Sequence, residues 1–227
     1  MEELADILKR LAPVAVDPER AKEWDRIERR RAVHAMALPP SLERWAIDHT
    51  DVDGTPRVKL PQHDRIRAAL DAYKLHIVLT GIPGTGKTTA AIEALAAGRP
   101  LRWRNGAGET CTTIEVAGAY VEASVYCRCK PWGSRRSAYD NASMLVLDDL
   151  GLEREGDSKK IEELLYLRHV NERVTIVTTN LDGAEFARRY SDRIASRLRE
   201  RGRWIKCEQV VRPGNTDARP QQGQLDV

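Results

Sequence analysis

A glycine-rich segment in the first half of the chain contains residues suited to phosphate chemistry. Its spacing is Gly-x-x-x-x-Gly-Lys-Thr, in which inward-turned backbone amides can surround phosphate groups. Glycine permits the positive φ angles of such a loop, Lys87 can reach the outer phosphates, and the Thr88 hydroxyl can bind Mg²⁺. We therefore predict a site for ATP and Mg²⁺. The predicted nucleotide contacts are Gly81, Ile82, Pro83, Gly84, Thr85, Gly86, Lys87, Thr88 and Thr89.

Two consecutive acids follow a short apolar run. Asp148 and Asp149 come directly after residues 144–147, where a buried strand of a parallel sheet would end. Ligands bind beyond the carboxyl ends of such strands, so we predict that Asp148 holds Mg²⁺. Asp149 could then orient or deprotonate an attacking water. The alternative is that Asp149 only caps a turn before Gly151.

A polar residue also follows the apolar run at 174–177. Asn180 comes after this run and two threonines, and a neighbouring parallel strand would bring it beside Asp148. Its side chain could hydrogen-bond there to the water or to the γ-phosphate. The alternative is an ordinary turn asparagine before a Leu-Asp-Gly connection.

Three arginines recur every four residues on a helix predicted over 182–201. Like charges at this spacing repel by about 0.2–0.5 kcal/mol per pair, so something should offset them. One explanation is a solvated face with Asp192 and Glu200 nearby. The other is the ATP of a neighbouring molecule, because an arginine supplied by a second subunit stabilises charge in phosphoryl transfer. The three residues are Arg189, Arg193 and Arg197.

The elements that must position these residues alternate between strands and helices. Apolar runs at 75–79, 144–147 and 174–177 predict strands buried on both faces. Their alternation with helices is typical of parallel βαβ units, so we predict an α/β P-loop NTPase with three layers and a parallel sheet. Other predicted elements are helices at 1–35, 62–73, 115–126 and 161–169, and strands at 101–104 and 204–211.

Composition narrows the class of protein. The chain has 227 residues and a net charge of +3, which fits one soluble core and does not by itself indicate nucleic acid. No run of roughly 18 or more apolar residues occurs, so we expect no membrane span. The N-terminus, MEELADILKRLAP, is not a secretory signal, and the four cysteines fit neither a disulfide framework nor a zinc ribbon. We therefore expect a cytoplasmic protein with reduced thiols.

Together these motifs resemble a known family. The strings GIPGTGKTT, MLVLDDLG, VTIVTTNL and SDRIASRL follow in the order and spacing of the DnaC/DnaI-type helicase loaders and the related IstB transposition ATPases, all of the AAA+ class. The resemblance covers about residues 36–211 and is sharpest over 75–89 and 144–198. It implies the AAA+ form of the P-loop fold.

The resemblance also implies roles for single residues. The Walker A pair is Lys87 and Thr88, the Walker B pair is Asp148 and Asp149, the sensor 1 residue is Asn180, and the arginine finger is Arg197 with Arg193 one turn before it. The catalytic residues so implied are Lys87, Asp149, Asn180 and Arg197, and the metal ligands are Thr88 and Asp148.

A basic segment between the second predicted strand and Asp148 is a candidate for DNA binding. Its basic side chains could bind phosphates, and its aromatic ones could stack on unpaired bases. The alternative is a solvated basic loop that Trp132 anchors to the core. The candidates are Lys130, Trp132, Arg135 and Arg136, with Tyr126 and Tyr139 flanking them.

Several functions agree with these features. The resemblance implies a helicase loader that hydrolyses ATP slowly, assembles with ATP into a homo-oligomer, and grips a replicative helicase and single-stranded DNA. An IstB-type ATPase would instead coat duplex DNA and recruit a transposase, while a small-molecule or nucleotide kinase would leave Asp149 and Arg197 without a role. We divide the chain into a helical segment at 1–40 that could dock on a helicase, an ATPase domain at 41–211 and a disordered tail at 212–227.

Overall fold

The central feature of the computed structural model is a five-stranded, all-parallel sheet with helices on both faces. The structure describes residues 38–49, 60–104, 110–115 and 118–208. The α/β fold predicted from the sequence is therefore confirmed. The predicted N-terminal helices before residue 38 and the predicted tail at 212–227 lie outside the described residues.

The described α-helices and strands are, in order along the chain, α1 (Pro40–His49), α2 (Pro61–Asp71), β1 (His76–Thr80), α3 (Lys87–Ala97), β2 (Arg99–Arg104), β3 (Thr110–Glu115), β4 (Gly118–Glu122), α4 (Ala123–Arg128), α5 (Ser134–Asn141), β5 (Met144–Leu150), α6 (Ser158–Val170), β6 (Val174–Thr179), α7 (Gly183–Glu200) and β7 (Gly202–Lys206). Each strand of the main sheet is separated from the next by at least one helix, while β2 and β3 form an insertion before β4.

The strand order of the main sheet is β4-β5-β6-β1-β7. Strand β6 therefore lies between β1, which leads into the glycine-rich loop, and β5, which carries the two acids. Because all five strands are parallel, their carboxyl ends meet at one edge. The glycine-rich loop, the two acids and the end of β6 all lie at that edge.

Alternating residues of each strand fill two apolar cores, one on each face of the sheet. On one face Ile77 and Val146 pack with Ile92 of α3, together with residues of α1 and α2. On the other face Val78 and Leu147 pack with residues of α4, α5, α6 and α7. Burial on both faces explains why these strands are almost continuously apolar.

Two predicted elements differ from the structure. Residues 101–104 belong to β2, but this strand pairs antiparallel with β3 in a separate two-stranded sheet. The helix predicted over 115–126 is wrong, because it is the strand β4 followed by the short helix α4. Parallel pairing with β5 buries Tyr120 there and outweighs the local helix propensity.

The C-terminal helix and strand also need correction. Helix α7 starts with a capping box of Asp182 and Glu185, but non-helical backbone interrupts it at Tyr190 and Ser191. The helix ends at Glu200, and Gly202 begins β7, which ends at Lys206 instead of extending over 204–211. A Cβ at position 202 would collide with backbone carbonyls, so this close approach requires glycine.

One fully buried arginine forms hydrogen bonds to several elements on the side of the second core. The Arg168 side chain of α6 donates hydrogen bonds to the carbonyls of Tyr139 (3.1 Å), Ala142 (2.9 Å) and Val174 (2.6 Å), and to the Thr175 hydroxyl (2.9 Å). These acceptors belong to the end of α5, the residue that follows it, and the start of β6. Arg168 therefore joins three elements with polar bonds inside an apolar core.

A buried histidine pair predicts how stability depends on pH. His76, with no exposed surface, stacks on His169, and their ring nitrogens lie 3.1 Å apart. Burial, then the charges of His169, Arg168 and Arg201, lowers the pKa of His76 to about 3. As the pH falls, His76 is therefore protonated in the unfolded chain before it is protonated in the folded protein. The contribution of neutral His76 to the free energy of unfolding is full above the unfolded pKa of about 6.5 and declines below it.

We expect His76→Phe to reduce the loss of stability in acid. Between about pH 6.5 and about pH 5, neutral His76 contributes a loss on the order of 2 kcal/mol, which the variant should not show. Urea unfolding at both pH values measures this difference for wild type and variant. An equal acid loss in both proteins would contradict the assignment.

No helix among the described residues combines the length and apolar character needed to cross a bilayer.

Candidate functional site

The glycine-rich loop connects the end of β1 to the start of α3. Gly81, Gly84 and Gly86 adopt positive φ angles of 149°, 81° and 78°. A Cβ at Gly81 would collide with the Cys207 carbonyl, whereas a Cβ at Gly84 would meet no atom within 4 Å. The loop backbone therefore packs closely against the residue that follows β7 at Gly81, and space is free beside Gly84. A loop that binds phosphate groups through its amides requires such space.

Two side chains hold the loop in shape. The Gln62 amide of α2 donates to the Thr85 carbonyl (2.9 Å), and the Thr85 hydroxyl donates to the Ile82 carbonyl (3.0 Å). Both side chains are buried. Sequence reasoning missed Gln62, because no pattern in its helix distinguishes a residue that reaches the loop from one in the core.

Lys87 lies within the loop rather than on the surface. Its ammonium donates to the carbonyls of Gly81 (2.7 Å) and Ile82 (2.9 Å), and the residue is 6% exposed. Burial lowers its pKa, while the charges of Cys207, Asp149 and Asp148 oppose that shift. The structure therefore places this cation against the loop backbone, within the electrostatic influence of the two acids.

Asp148 accepts hydrogen bonds from three hydroxyl groups. Thr88 of α3 (2.9 Å) and Thr178 of β6 (2.5 Å) donate to Oδ1, and Tyr120 of β4 (2.8 Å) donates to Oδ2. Asp148 is 3% exposed. The structure thus brings the predicted ligands Thr88 and Asp148 together, and their hard oxygen atoms are the donor type that Mg²⁺ prefers.

This oxygen pair would not form a complete metal site alone. No group of three or more His, Cys, Asp or Glu side chains that could hold a metal ion occurs in the part of the chain that the structure describes. Mg²⁺ generally uses one or two carboxylates and completes its shell with water and phosphate oxygens. The donor set therefore fits a magnesium ion that arrives with a nucleotide.

Asp149 adopts an unusual backbone conformation. The pairing register of β5 with β6 shifts between Leu147 and Leu150, and Asp149 has a φ of 53°. Its amide donates to the Thr178 hydroxyl (3.0 Å), so one threonine holds both acids. Burial, followed by the charges of Asp148 and Glu122, raises the pKa of Asp149, and Lys87 opposes this. A carboxylate with a raised pKa beside a phosphate cradle is suited to accept a proton.

The strand that precedes Asn180 adjoins β5, as predicted, while the approach of the Asn180 side chain to Asp148 stays a prediction. Asn180 is exposed and directly follows β6, the strand next to β5. Thr178 is the residue of β6 that reaches Asp148. Sequence reasoning missed Thr178, although it is one of the two threonines that end the apolar run. It missed Tyr120 because its segment was predicted to be helical.

We expect Thr178→Val to slow ATP turnover by about 10- to 100-fold. The change keeps the side-chain shape but removes hydrogen bonds to a charged acid and its neighbour, each worth about 1.5–3 kcal/mol. Steady-state phosphate release measures the effect. Thr179→Val is the matched control, because its hydroxyl binds the Leu150 carbonyl (2.6 Å) instead of an acid. Equal losses in both variants would contradict a specific role for Thr178.

The three arginines of α7 do not share one helical face. The break at Ser191 (φ 69°) separates Arg189 from the other two, so the predicted four-residue spacing fails there. Arg189 pairs with the buried carboxylate of Glu153 (2.9 Å). Arg197 lies over the Tyr166 ring of α6, 4.5 Å from its centre, and Arg193 is exposed. The separation removes one of the two predicted charge repulsions.

The predicted DNA-binding segment forms a basic groove. Its cavity, of about 410 Å³, lies at α4 and α5 and is lined by Val125, Arg128, Cys129, Lys130, Gly133, Ser134, Arg135 and Arg136. Trp132 is 99% exposed, which excludes the alternative in which it anchors this loop to the core. Lys130 and Arg135 are also exposed.

Three residues of the predicted DNA-binding set are engaged inside the protein. Tyr126 and Tyr139 are buried in the second core, so neither can stack on a base. Arg136 is 9% exposed, lies over the Tyr126 ring at 4.7 Å and pairs with Asp140 at 3.8 Å. These contacts remove Arg136 from the predicted phosphate ligands. The three-residue spacing of Arg136 and Tyr139 places both on the buried face of α5.

Comparison with known proteins finds similar solved structures. No family model and no curated protein matches this chain. A candidate primosome component from Streptococcus pyogenes serotype M3 has a TM-score of 0.53 and 19% identity, over 80% of this chain and 97% of that one. The DnaC helicase loader has a TM-score of 0.48 and 19% identity, over 66% of this chain and 92% of that one.

A third similar structure is that of DnaA from Aquifex aeolicus bound to AMPPCP. Its TM-score is 0.47 at 20% identity, over 66% of this chain and 48% of that one, so this chain matches about half of the DnaA chain. At such identities a structural likeness shows the fold alone. With its five-stranded parallel sheet and its glycine-rich loop between β1 and α3, the chain shares the α/β fold of the primosome component.

Proposed function

We propose that this chain binds and hydrolyses ATP and uses the ATP-bound state to assemble with a replicative helicase and single-stranded DNA. The observation that carries the proposal is the 2.9 Å contact between Thr88, on the helix after the loop, and Asp148 of β5. It brings the phosphate cradle and the acidic strand end to one point. The loop and the acids thus lie at the edge where parallel sheets bind ligands, which supports a nucleotide site there.

The residues of the loop support binding of the triphosphate. The amides around Gly84 and the first turn of α3 present partial positive charge, and Lys87 can exchange its carbonyl partners for the outer phosphates. Bound Mg²⁺ would supply charge neutralisation for these phosphates, with Thr88 and Asp148 as its protein ligands. The other loop residues, from Gly81 to Thr89, act chiefly through backbone amides.

Asp149 supports hydrolysis rather than transfer to another substrate. Its carboxylate would take a proton from an attacking water, and Asn180 at the next strand end would orient that water or the γ-phosphate. Arg197 would act on the ATP of a neighbouring copy, which makes ATP-dependent self-association part of the proposal. A kinase would have no use for Asp149 and Arg197.

Single-stranded DNA is the proposed nucleic-acid partner because of the groove at α4 and α5. Lys130 and Arg135 can bind phosphates, and the exposed indole of Trp132 offers a stacking surface for an unpaired base. Paired bases in a duplex do not expose their faces. An isolated, fully exposed tryptophan therefore favours single strands over the duplex that a transposition ATPase would coat.

We expect Trp132→Ala to weaken binding of single-stranded DNA by about 5- to 150-fold, because one base stack is worth about 1–3 kcal/mol. Anisotropy of a labelled oligothymidine with Mg²⁺-ATP measures the affinity. Leu152→Ala is the control, because Leu152 is also exposed, at 66%, but lies outside the basic segment that contains Trp132. Equal affinity in both variants would remove Trp132 from the interface. A clear preference of the wild type for duplex would favour the transposition function.

The helicase partner needs a separate measurement. Tagged chain should retain a replicative helicase from the same cell when Mg²⁺-ATP is present. Failure to form the complex with or without ATP would rule out helicase loading while leaving the nucleotide site untouched.

A further inference from the structure

We propose that Glu153 is a positioning residue that sets the direction of the Arg197 side chain toward the ATP of a neighbouring copy. We call residues 192–200, which follow the break in α7, the arginine segment. The inference rests on the proposed function, because it assumes that Arg197 acts between copies. Glu153 lies outside every sequence motif described above. It would link the turn after Asp149 in one copy to the arginine that acts on the ATP of the neighbouring copy.

Glu153 is a buried carboxylate between two parts of the molecule. Its side chain has no exposed surface. Oε2 accepts from the Gly151 amide (2.9 Å), in the turn after Asp149. Oε1 accepts from Arg189 Nε (2.9 Å) and from the Tyr190 hydroxyl (2.5 Å). One oxygen therefore holds the turn behind the acids, and the other holds α7 immediately before its break.

The break is the point at which the direction of α7 is set. Tyr190 (φ −116°, ψ 17°) and Ser191 (φ 69°, ψ 147°) leave helical geometry, and Ser191 takes a positive φ that residues other than glycine rarely adopt. Such a conformation persists only when its surroundings fix it. The bonds from Glu153 to Arg189 and Tyr190, together with packing of Tyr190 on Phe186 at 4.8 Å, provide that constraint.

Orientation of the arginine segment follows from this constraint. A small rotation at Ser191 would move Arg197, two turns further along, by several ångströms. Further along, the segment is held by burial in the second core of Ile194, Ala195 and Leu198. Arg197 lies over the Tyr166 ring of α6. The bonds from Glu153 therefore act on the backbone at the break, before these contacts begin.

Glu153→Gln tests the hold of this side chain on α7. An amide carries no negative charge and has one acceptor oxygen instead of two, so in either orientation it loses the ion pair with Arg189. The hold on α7 should therefore weaken, although the bond from Arg189 to the Glu153 carbonyl (2.5 Å) remains. Tyr190→Phe weakens the same hold with the Gly151 bond intact. The variant should keep its own Asp149 functional and misdirect its own Arg197.

Mixed assemblies of two variants show whether Arg197 acts on the ATP site of a neighbouring copy. Asp149→Asn lacks the base but retains Arg197, and Arg197→Ala lacks the arginine but retains the base. Mixed assemblies of these two should recover turnover at least about tenfold above either alone, because an arginine acting between subunits contributes about 10³–10⁵. This pair tests the proposed function. Without recovery, Arg197 does not act between copies, and the inference fails with that part of the function.

Given recovery in the control pair, Glu153→Gln should behave like Arg197→Ala. Mixed with Asp149→Asn it should regain DNA-stimulated turnover at least about tenfold, and mixed with Arg197→Ala it should not. Its affinity for Mg²⁺-ATP should stay within about twofold of wild type. The opposite mixing pattern, or no recovery in either mixture, would overturn the inference while leaving the proposed function standing.

Two further variants separate positioning from folding. Tyr190→Phe removes one bond to Glu153 and keeps the ring packing, so it should show the same mixing pattern with a smaller loss if Glu153→Gln does not fold. Glu155→Gln is the matched control, because Glu155 is an exposed acid two residues away. It should behave as wild type in every mixture. A wild-type pattern in Tyr190→Phe, or a Glu155→Gln pattern like that of Glu153→Gln, would overturn the inference.

Discussion

Replacement of Asp149 by asparagine should reduce ATP turnover by about 10²- to 10⁴-fold, the usual contribution of a general base. Asparagine suits the test because it tolerates the positive φ of 53° at this position and retains the side-chain size. The Thr178 bond to the backbone amide should also survive, since it does not involve the side chain. Affinity for Mg²⁺-ATP, measured with a fluorescent analogue, should therefore change little.

Glu122→Gln is the matched control for this change. It removes one negative charge near Asp149 without removing the proposed base, so turnover near neutral pH should stay close to that of wild type. The charge of Glu122 raises the pKa of Asp149, so its removal should shift the acid limb of the pH profile to lower pH. Because the deprotonated acid is the active form, turnover rises with pH through this limb. Wild-type turnover in Asp149→Asn would reject the assignment.

The largest effect on stability is expected for Arg168→Leu. The change leaves four acceptors without this donor, three of them buried, and loss of one buried polar partner already costs about 1–3 kcal/mol. We expect the free energy of unfolding to fall by about 3–5 kcal/mol, since several buried polar groups lose their partner at once. Because a typical domain has about 5–15 kcal/mol in total, the variant would be marginally folded. Urea unfolding measures the loss.

Arg201→Gln provides the comparison on the surface. Arg201 pairs with Glu172 at 2.8 Å, and both side chains are largely in water. Solvent and salt screen such a pair, so this variant should lose far less stability than Arg168→Leu. Similar losses in both variants would show that the buried bonds of Arg168 do not stabilise the fold as described.

The parts of the site that could be predicted from the sequence are those marked by a local motif. The glycine spacing placed the loop between β1 and α3, and the apolar run before Asp148 identified the strand that ends at the acids. The prediction that β6 adjoins β5 is also confirmed by the strand order. These predictions succeeded because strand burial and loop geometry are local properties with strong residue preferences.

Tertiary contacts account for the parts that the sequence did not reveal. Tyr120 stands in a segment with helical propensity, and only pairing with β5 makes it a strand residue that reaches Asp148. The bend at Ser191 arises in a sequence with regular helical spacing, beside partners from a distant loop. Buried Arg136 looked like its exposed neighbour Arg135 because composition does not distinguish the two faces of a short helix.

The position of β1 in the sheet determines when this protein can fold during synthesis. Strand β1 lies between β6 and β7, so both of its partners come from the last part of the described chain. A ribosome makes about 5–20 residues per second, and the strand before the glycine-rich loop therefore waits several seconds for its neighbours. Its apolar surface is accessible to chaperones throughout that interval, and any nascent chain that stops before residue 202 lacks the strand that closes this edge of the sheet.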